Sequence, residues 1–359
     1  MREQQVVVRP AGWHGRKLSF PAVTVSNQLP FQRLAVLGAV APHNDEVAYA
    51  RAAQRLGVAS RVFDVLAWHR RLRGLAPPLL ERRIERFNPD FILCTREARR
   101  LGHARLERLF RNRTTAMWHV DIAPQEGVVD LARQCGTLYT TYSGQRDTYR
   151  AHGVPVVRFL PQAMDPDRDM PAAATRDEYR CDVSFVGSGP YPYRWPLLRA
   201  VAREFALQVR GPGWTGVDSG LPVVGEAVHG ARFAEVVAGA AVSLGANSFA
   251  EQETQFASAS NRMWKVFGCG GAYVGPYVPG IEQFARAGEH CRWFRSIDDC
   301  VEQIRALLAN PEERIAMAAR AHAHALAHHT YDHRLRMLLS GEEYPLKRDE
   351  RRETGDGRR

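Results

Sequence analysis

Short apolar runs separated by amphipathic stretches set the rhythm of this chain from Arg33 onward. Residues 34–40 form a continuous apolar run of the kind buried on both faces of a sheet, 45–56 carry helical spacing, and 62–65 are apolar again. The alternation continues with a helix at 79–87, a strand at 91–94, a helix at 98–110 and a strand at 115–120. An amphipathic stretch at 128–135, a strand at 137–142, a helix at 145–151 and a strand at 156–160 complete the first half. Strands alternating with helices predict a parallel sheet wrapped on both faces.

Residues 161–180 break the rhythm, being rich in Pro, Asp and Ala without a period, which is linker composition. A second alternation follows: strand 182–186, helix 196–205, strand 207–210, helix 231–240, strand 242–245, helix from 260, strand 272–275, strand 291–294 and helices 297–308, 311–328 and 331–339. The expected organisation is therefore an α/β chain of two doubly wound, Rossmann-like domains, 1–160 and 181–340, joined by 161–180 and facing a central cleft. Residues 1–30 read as an arm on the first domain, and 341–359, charged and almost free of apolar residues, as a disordered tail. A length of 359 residues suits two cores better than one.

Composition narrows the class. No apolar run reaches the roughly 20 residues of a membrane span, and residues 1–10 lack the apolar core of a secretory signal, so a cytoplasmic protein is expected. The six cysteines contain no C-x-x-C pair, which signals neither a zinc site nor a disulfide framework. Of a formal net charge of +10, an excess of eight lies between Trp68 and Arg113, where thirteen Arg face five acids. Such a patch attracts polyanions, an anionic membrane surface or an acidic acceptor, a glycan, protein or nucleic acid. Arg used simply as a solubilising residue gives the same pattern.

The candidate chemistry centres on the helix from Ser260. Ser260 suits an N-cap, Met263, Trp264 and Phe267 make an apolar face, and Gly270 or Gly271 suits the helix end. Arg262 and Lys265 stand three apart on one face beside the helix amides, an arrangement fit for an anion such as a diphosphate. The same spacing also describes an ordinary amphipathic helix with two solvated bases. Gly187-Ser188-Gly189, directly after a strand, would let backbone amides approach a phosphate, with Arg194 close behind. Trp214 could lie against a base or sugar, or fill the core. His229 and Asn247 occupy strand-end or helix-start regions of the same domain, and Glu251 and Glu253 are the nearest carboxylates for a ribose. At the carboxyl end of a first-domain strand, His119 and Asp121 point to one side, where a carboxylate can support an imidazole in acid–base work. Asp121 as a turn residue before Pro124 is the plainer reading, and His43 with Asp45 is a second choice for the base. The histidines at 322, 324, 328, 329 and 333 lack an interleaved acid, so helix-surface histidines are expected rather than a metal site.

Taken in order, Asp182–Ser188 with Arg194, Val209–Trp214, Ser260-x-Arg262 with Gly270-Gly271 and Pro279-Gly280-Ile281, and His329-Thr330-Tyr331 with Arg334 resemble the C-terminal domain of CgeB-like glycosyltransferases. Trp118-x-x-Asp121 is similar to an aromatic-x-x-Asp of that family. The resemblance covers roughly half the chain. It implies the GT-B architecture and transfer from a nucleotide-diphosphate sugar. It places the donor diphosphate on Gly187, Ser188, Arg194, Arg262 and Lys265, without an obligatory metal or other cofactor. The family carries Glu where this chain has Lys265, and an ammonium cannot accept the ribose hydrogen bonds of such a Glu. That departure leaves open a catalytically inactive module of the same fold that binds nucleic acid or another polyanion through its Arg-rich domain, and an epimerase of nucleotide sugars is a third class.

Overall fold

Two sheets, each of six parallel strands, organise the chain. The computed structural model describes residues 29–41, 44–122, 126–216, 220–247 and 258–346. The first sheet contains β1 (Arg33–Gly38), β2 (Ala59–Asp64), β3 (Phe91–Cys94), β4 (Thr114–His119), β5 (Thr137–Thr140) and β6 (Val156–Phe159), in the order β2-β1-β3-β4-β5-β6. Its helices are α1 (Glu46–Arg55), α2 (Val65–Leu72), α3 (Ala76–Phe87), α4 (His103–Phe110), α5 (Glu126–Cys135) and α6 (Gln145–Ala151). The second sheet contains β7 (Cys181–Val186), β8 (Leu207–Arg210), β9 (Val223–Gly225), β10 (Ala240–Leu244), β11 (Tyr273–Pro276) and β12 (Arg292–Phe294), in the order β12-β11-β10-β7-β8-β9. It carries α7 (Trp195–Glu204), α8 (Ala231–Gly239), α9 (Asn261–Gly268), α10 (Ile297–Ala309) and α11 (Pro311–His328), and α12 (Tyr331–Leu339) ends the described helices.

The strands form where the sequence is continuously apolar because both faces are covered: Leu34 and Val36 on one face of β1 and Ala35 and Leu37 on the other are all wholly buried. In each sheet the strand order reverses once near the middle, between β1 and β3 and between β7 and β10. Such switch points open a crevice at the carboxyl ends of the strands.

Several expectations need correction. The 98–110 segment is not one helix: Gly102, at φ +82°, separates a 3-10 turn at Arg96–Leu101 from α4. Helix α2 was not expected, although Asp64 caps it by accepting from Ala67 N–H at 2.9 Å. Most consequential, α12 does not finish the second domain but packs on the first. Its Tyr331, Leu335, Leu338 and Leu339 share a core with Leu34, Val36, Tyr49 and Trp118. Beside this crossover, Met164 of the linker exchanges backbone hydrogen bonds with His329 O and Tyr331 N–H, at 3.0 and 2.9 Å. Buried Arg334 clamps both crossings by donating to Pro161 O and His328 O. The family-like His329-Thr330-Tyr331 and Arg334 thus serve the hinge.

The tail expected from 341 is packed through 346, with Tyr344 N–H donating to Phe159 O at 2.8 Å and its ring against Phe159 and Phe284. Residues 347–359 and nearly all of the arm lie outside the described residues. The histidine-rich segment is a solvated surface only at His328 and His333. His322 bonds Phe267 O, His324 bonds Phe284 O, and His329 stacks on Trp264 with ring centroids 4.3 Å apart. Among the described residues no group of three His, Cys, Asp or Glu is arranged to hold a metal.

Candidate functional site

Two cavities meet between the domains. One, of about 200 Å³, is lined by Arg194, Asn247, Ser260, Arg262 and Tyr273 of the second domain and by Thr141 and Tyr142 of the first. The other, of about 370 Å³, is lined by Glu46, Thr95, His119 and Asp121 of the first domain. Gln162 of the linker and Asn261 of α9 line both, so the two are continuous.

The first cavity is built around two arginines. Ser260 caps α9 as expected, its hydroxyl accepting from Arg262 N–H at 3.3 Å. The Arg262 side chain then turns back to the switch point, donating from Nε to Val186 O at 2.6 Å and from Nη1 to Ala246 O at 3.3 Å, over the Phe185 ring. Arg194 is anchored the same way, from Nε to Asn247 O at 3.0 Å and from Nη1 to Ser188 O at 2.9 Å. Carbonyls at the ends of β7 and β10 thereby hold both guanidinium groups. Arg194 is only 7% exposed, and among the described residues neither arginine has a carboxylate within ion-pair distance. Burial, with Arg262 nearby, pulls Arg194 down to about 9, and burial lowers Arg262 as well. Two desolvated cations without a counter-charge are an arrangement that an anion stabilises.

The glycines beside them act otherwise than expected. The N–H groups of Gly187 and Gly189 are taken by Arg210 O and Pro212 O, at 2.8 and 2.9 Å, because the loops after β7 and β8 continue the ladder. Gly187 instead makes room: a Cβ there would lie 2.5 Å from Arg262 Nη2 and 2.7 Å from Phe185. Ser188 contributes its carbonyl to Arg194. Trp214 is a core residue, 6% exposed, whose indole donates to Gly187 O at 2.8 Å. Gly270 and Gly271 sit at the far end of α9. Gly270 takes φ +73°, and Gly271 packs where a Cβ would meet Val237 at 2.4 Å. Neither lines the cavity.

Lys265 also leaves the anion seat. It shares a face with Arg262, yet its Nζ reaches across to Asp45 Oδ1 of the first domain, 3.6 Å away. Asn261 Nδ2 donates to Asp45 Oδ2 at 2.8 Å, and Arg168 of the linker donates to Oδ1 at 2.8 Å. Burial alone would raise the Asp45 carboxyl, and the Lys265 and Arg168 cations outweigh it and hold it low. Asp45, so enclosed, is a tie between domains and not a free base.

His119 and Asp121 do meet in the second cavity. His119 ends β4 and is 2% exposed, whereas the Asp121 carboxylate is half exposed and accepts from Arg96 at 3.0 Å. Sequence reasoning missed Glu46, Thr141 and Tyr142. Glu46 is buried, accepts from Ala39 N–H and Thr95 Oγ1 at 3.2 and 3.0 Å, and is raised mainly by burial. Its signal was present: it shares the apolar stripe of α1 with Tyr49, Ala50 and Ala53. Asn247 lines the first cavity, and His229 does not. His43, Glu251 and Glu253 lie outside the described residues.

This architecture has counterparts among solved structures. HepE of Anabaena in complex with UDP-glucose aligns at TM-score 0.58 with 12% identity, over 86% of this chain and 99% of that one. Sucrose-phosphate synthase from Thermosynechococcus elongatus aligns at 0.60 with 12% identity, over 86% and 97%. The chain has the GT-B fold. An alpha-glucosyltransferase in complex with UDP-glucose and DNA containing an abasic site aligns at 0.62 with 8% identity, over 86% and 98%. Residues 194–340 of this GT-B chain match the family model described as glycosyl transferase-like, a span that includes both arginines of the seat. No curated protein matches the sequence. Among the described residues no helix is long and apolar enough to cross a membrane.

Proposed function

We propose that this GT-B protein is a CgeB-like glycosyltransferase that moves a sugar from a nucleotide-diphosphate donor, a UDP-sugar by analogy with its structural neighbours, to an acceptor in the first-domain cavity. The observation that carries the reading is the pair of buried Arg194 and half-buried Arg262, held at the second switch point without a carboxylate partner among the described residues.

In this reading the donor diphosphate lies on the two guanidinium groups and the N-terminus of α9. As the bond from the anomeric carbon to the diphosphate oxygen breaks, negative charge accumulates on the leaving group. Cations already fixed there by strand-end carbonyls lower the barrier without reorganising. The same two charges supply what a divalent ion would otherwise supply, which supports metal-independent transfer with no cofactor. The acceptor hydroxyl forms the new bond to the anomeric carbon and gives its proton to Asp121, the accessible carboxylate of the second cavity. Buried His119 shapes the floor beneath it.

Lys265 in place of Glu is the sequence basis for an inactive polyanion-binding module. With Lys265 on Asp45, the cationic seat is complete without it. The test is a panel of nucleoside diphosphates and their sugars, read by thermal shift and by release of nucleoside diphosphate from the sugar donors in the presence of EDTA. Stabilisation by one nucleotide with EDTA-insensitive turnover is expected. No stabilisation by any of the panel overturns the proposal.

A further inference from the structure

The turn from α2 to α3 carries charge and apolar surface that the fold does not use. Arg70, Arg71, Arg73, Arg82, Arg83 and Arg86 are all exposed, and among the described residues none has a carboxylate within ion-pair distance. The nearby acids are already engaged, Glu81 by Arg105 and Arg108 and Glu85 by Arg113. Among these arginines stand three exposed leucines, Leu72 at 39%, Leu75 at 67% and Leu79 at 39%. On α3, Leu79, Arg82, Arg83 and Arg86 follow the spacing of one helix face, while Ala76, Leu80 and Ile84 bury the other.

We infer that this face docks on an anionic lipid surface, the leucines entering the headgroup boundary and the arginines meeting lipid phosphates. A nucleic acid would engage the arginines and leave the leucines in water. It would also lack a stacking platform, because Trp68 is half-buried under Arg83 at 5.1 Å and Phe87 is half-buried as well. Location agrees with docking. Helix α2 begins beside Leu66, which lines the second cavity, so the face starts within one or two helical turns of that cavity. At its tip Arg73 adopts φ 46° and ψ −121°, a conformation that glycine takes more readily than arginine.

The experiment is co-sedimentation of the full chain with phosphatidylcholine vesicles, with and without phosphatidylglycerol, and with a DNA duplex as competitor. Binding is expected only with the anionic lipid, weakening about fivefold for each arginine removed. Arg82→Gln with Arg83→Gln and Arg86→Gln should therefore weaken it by about a hundredfold. Arg73→Gly relieves the backbone and still weakens binding about fivefold, which separates docking from folding. Leu72→Ser with Leu75→Ser and Leu79→Ser should abolish vesicle binding. Equal binding to neutral vesicles, full vesicle binding by the leucine variant, or capture of the duplex without capture of vesicles overturns the inference. None of these residues lies in the two-arginine seat, so failure here leaves the transferase reading intact.

Discussion

Replacing Arg262 with methionine tests the anion seat directly, because the free and ligand-bound proteins should respond differently. In the free protein two effects oppose each other. The substitution removes a desolvated cation beside Arg194, which relieves both burial cost and repulsion. It also leaves Val186 O and Ala246 O without their donor, at about 1–3 kcal/mol for a buried acceptor. A net change of about 1 kcal/mol moves the melting temperature by only about 2–4 °C for domains of this size. Ligand binding loses much more, since a hydrogen bond to a charged phosphate contributes about 1.5–3 kcal/mol, or about 10–150-fold in Kd. With nucleotide at about a hundred times the wild-type Kd, the wild type gains about 2.7 kcal/mol, a rise of about 5–11 °C. If the variant's Kd is raised about a hundredfold, it gains only about 0.4 kcal/mol, a rise of about 1 °C. Differential scanning fluorimetry with and without nucleotide measures both. An undiminished ligand shift, or a free variant melting about 10 °C lower, would make Arg262 a structural strut and refute the reasoning.

Asp121→Asn should slow transfer by about 10²–10⁴-fold while leaving nucleotide stabilisation unchanged, seen by comparing initial rates with thermal shifts. Asp45→Asn leaves Lys265 and Arg168 facing each other without their shared carboxylate, and should cost about 3–5 kcal/mol in urea unfolding. The folded Asp45 carboxyl is held low, so its contribution is complete above the unfolded value of 3.8 and disappears as pH falls through the lowered folded value. Glu46 has the opposite sign. Its raised carboxyl favours folding when protonated, and that contribution fades as pH rises through the folded value, so Glu46→Gln should raise the melting temperature at pH 7 with a gain that shrinks toward pH 4.5. Burial lowers His290 to about 4 and lowers His329 as well, so their contribution is complete above the unfolded value of 6.5 and lost as pH falls below it. A flat melting curve across that acid range contradicts this.

Much of the architecture is legible in the sequence because parallel strands buried on both faces must be continuously apolar, as in the run Leu34, Ala35, Val36 and Leu37. The cationic seat is half legible. Arg194 and Arg262 declare themselves by following a strand and a helix cap, whereas Lys265, on the same helix face, is drawn away by a carboxylate 220 positions earlier in the chain. No spacing rule reveals that pairing. Gly187 looks like a ligand-approach residue because close approach requires glycine whether the neighbour is a phosphate or a guanidinium. Glu46 shows the converse, a carboxylate on an apolar stripe that is easily passed over as a helix-start acid.

The return of α12 to the first domain also fixes an order of events during synthesis. The hydrophobic interior around Leu34, Val36, Tyr49 and Trp118 has a side that Tyr331, Leu335, Leu338 and Leu339 cover. Between β6 and the end of α12 the ribosome must add roughly 180 residues, which at about 5–20 residues per second takes about 9–36 s. Throughout that interval the nascent amino-terminal half presents a sticky, unsealed flank. A chaperone that binds such flanks should engage this polypeptide in mid-translation and let go once α12 has docked.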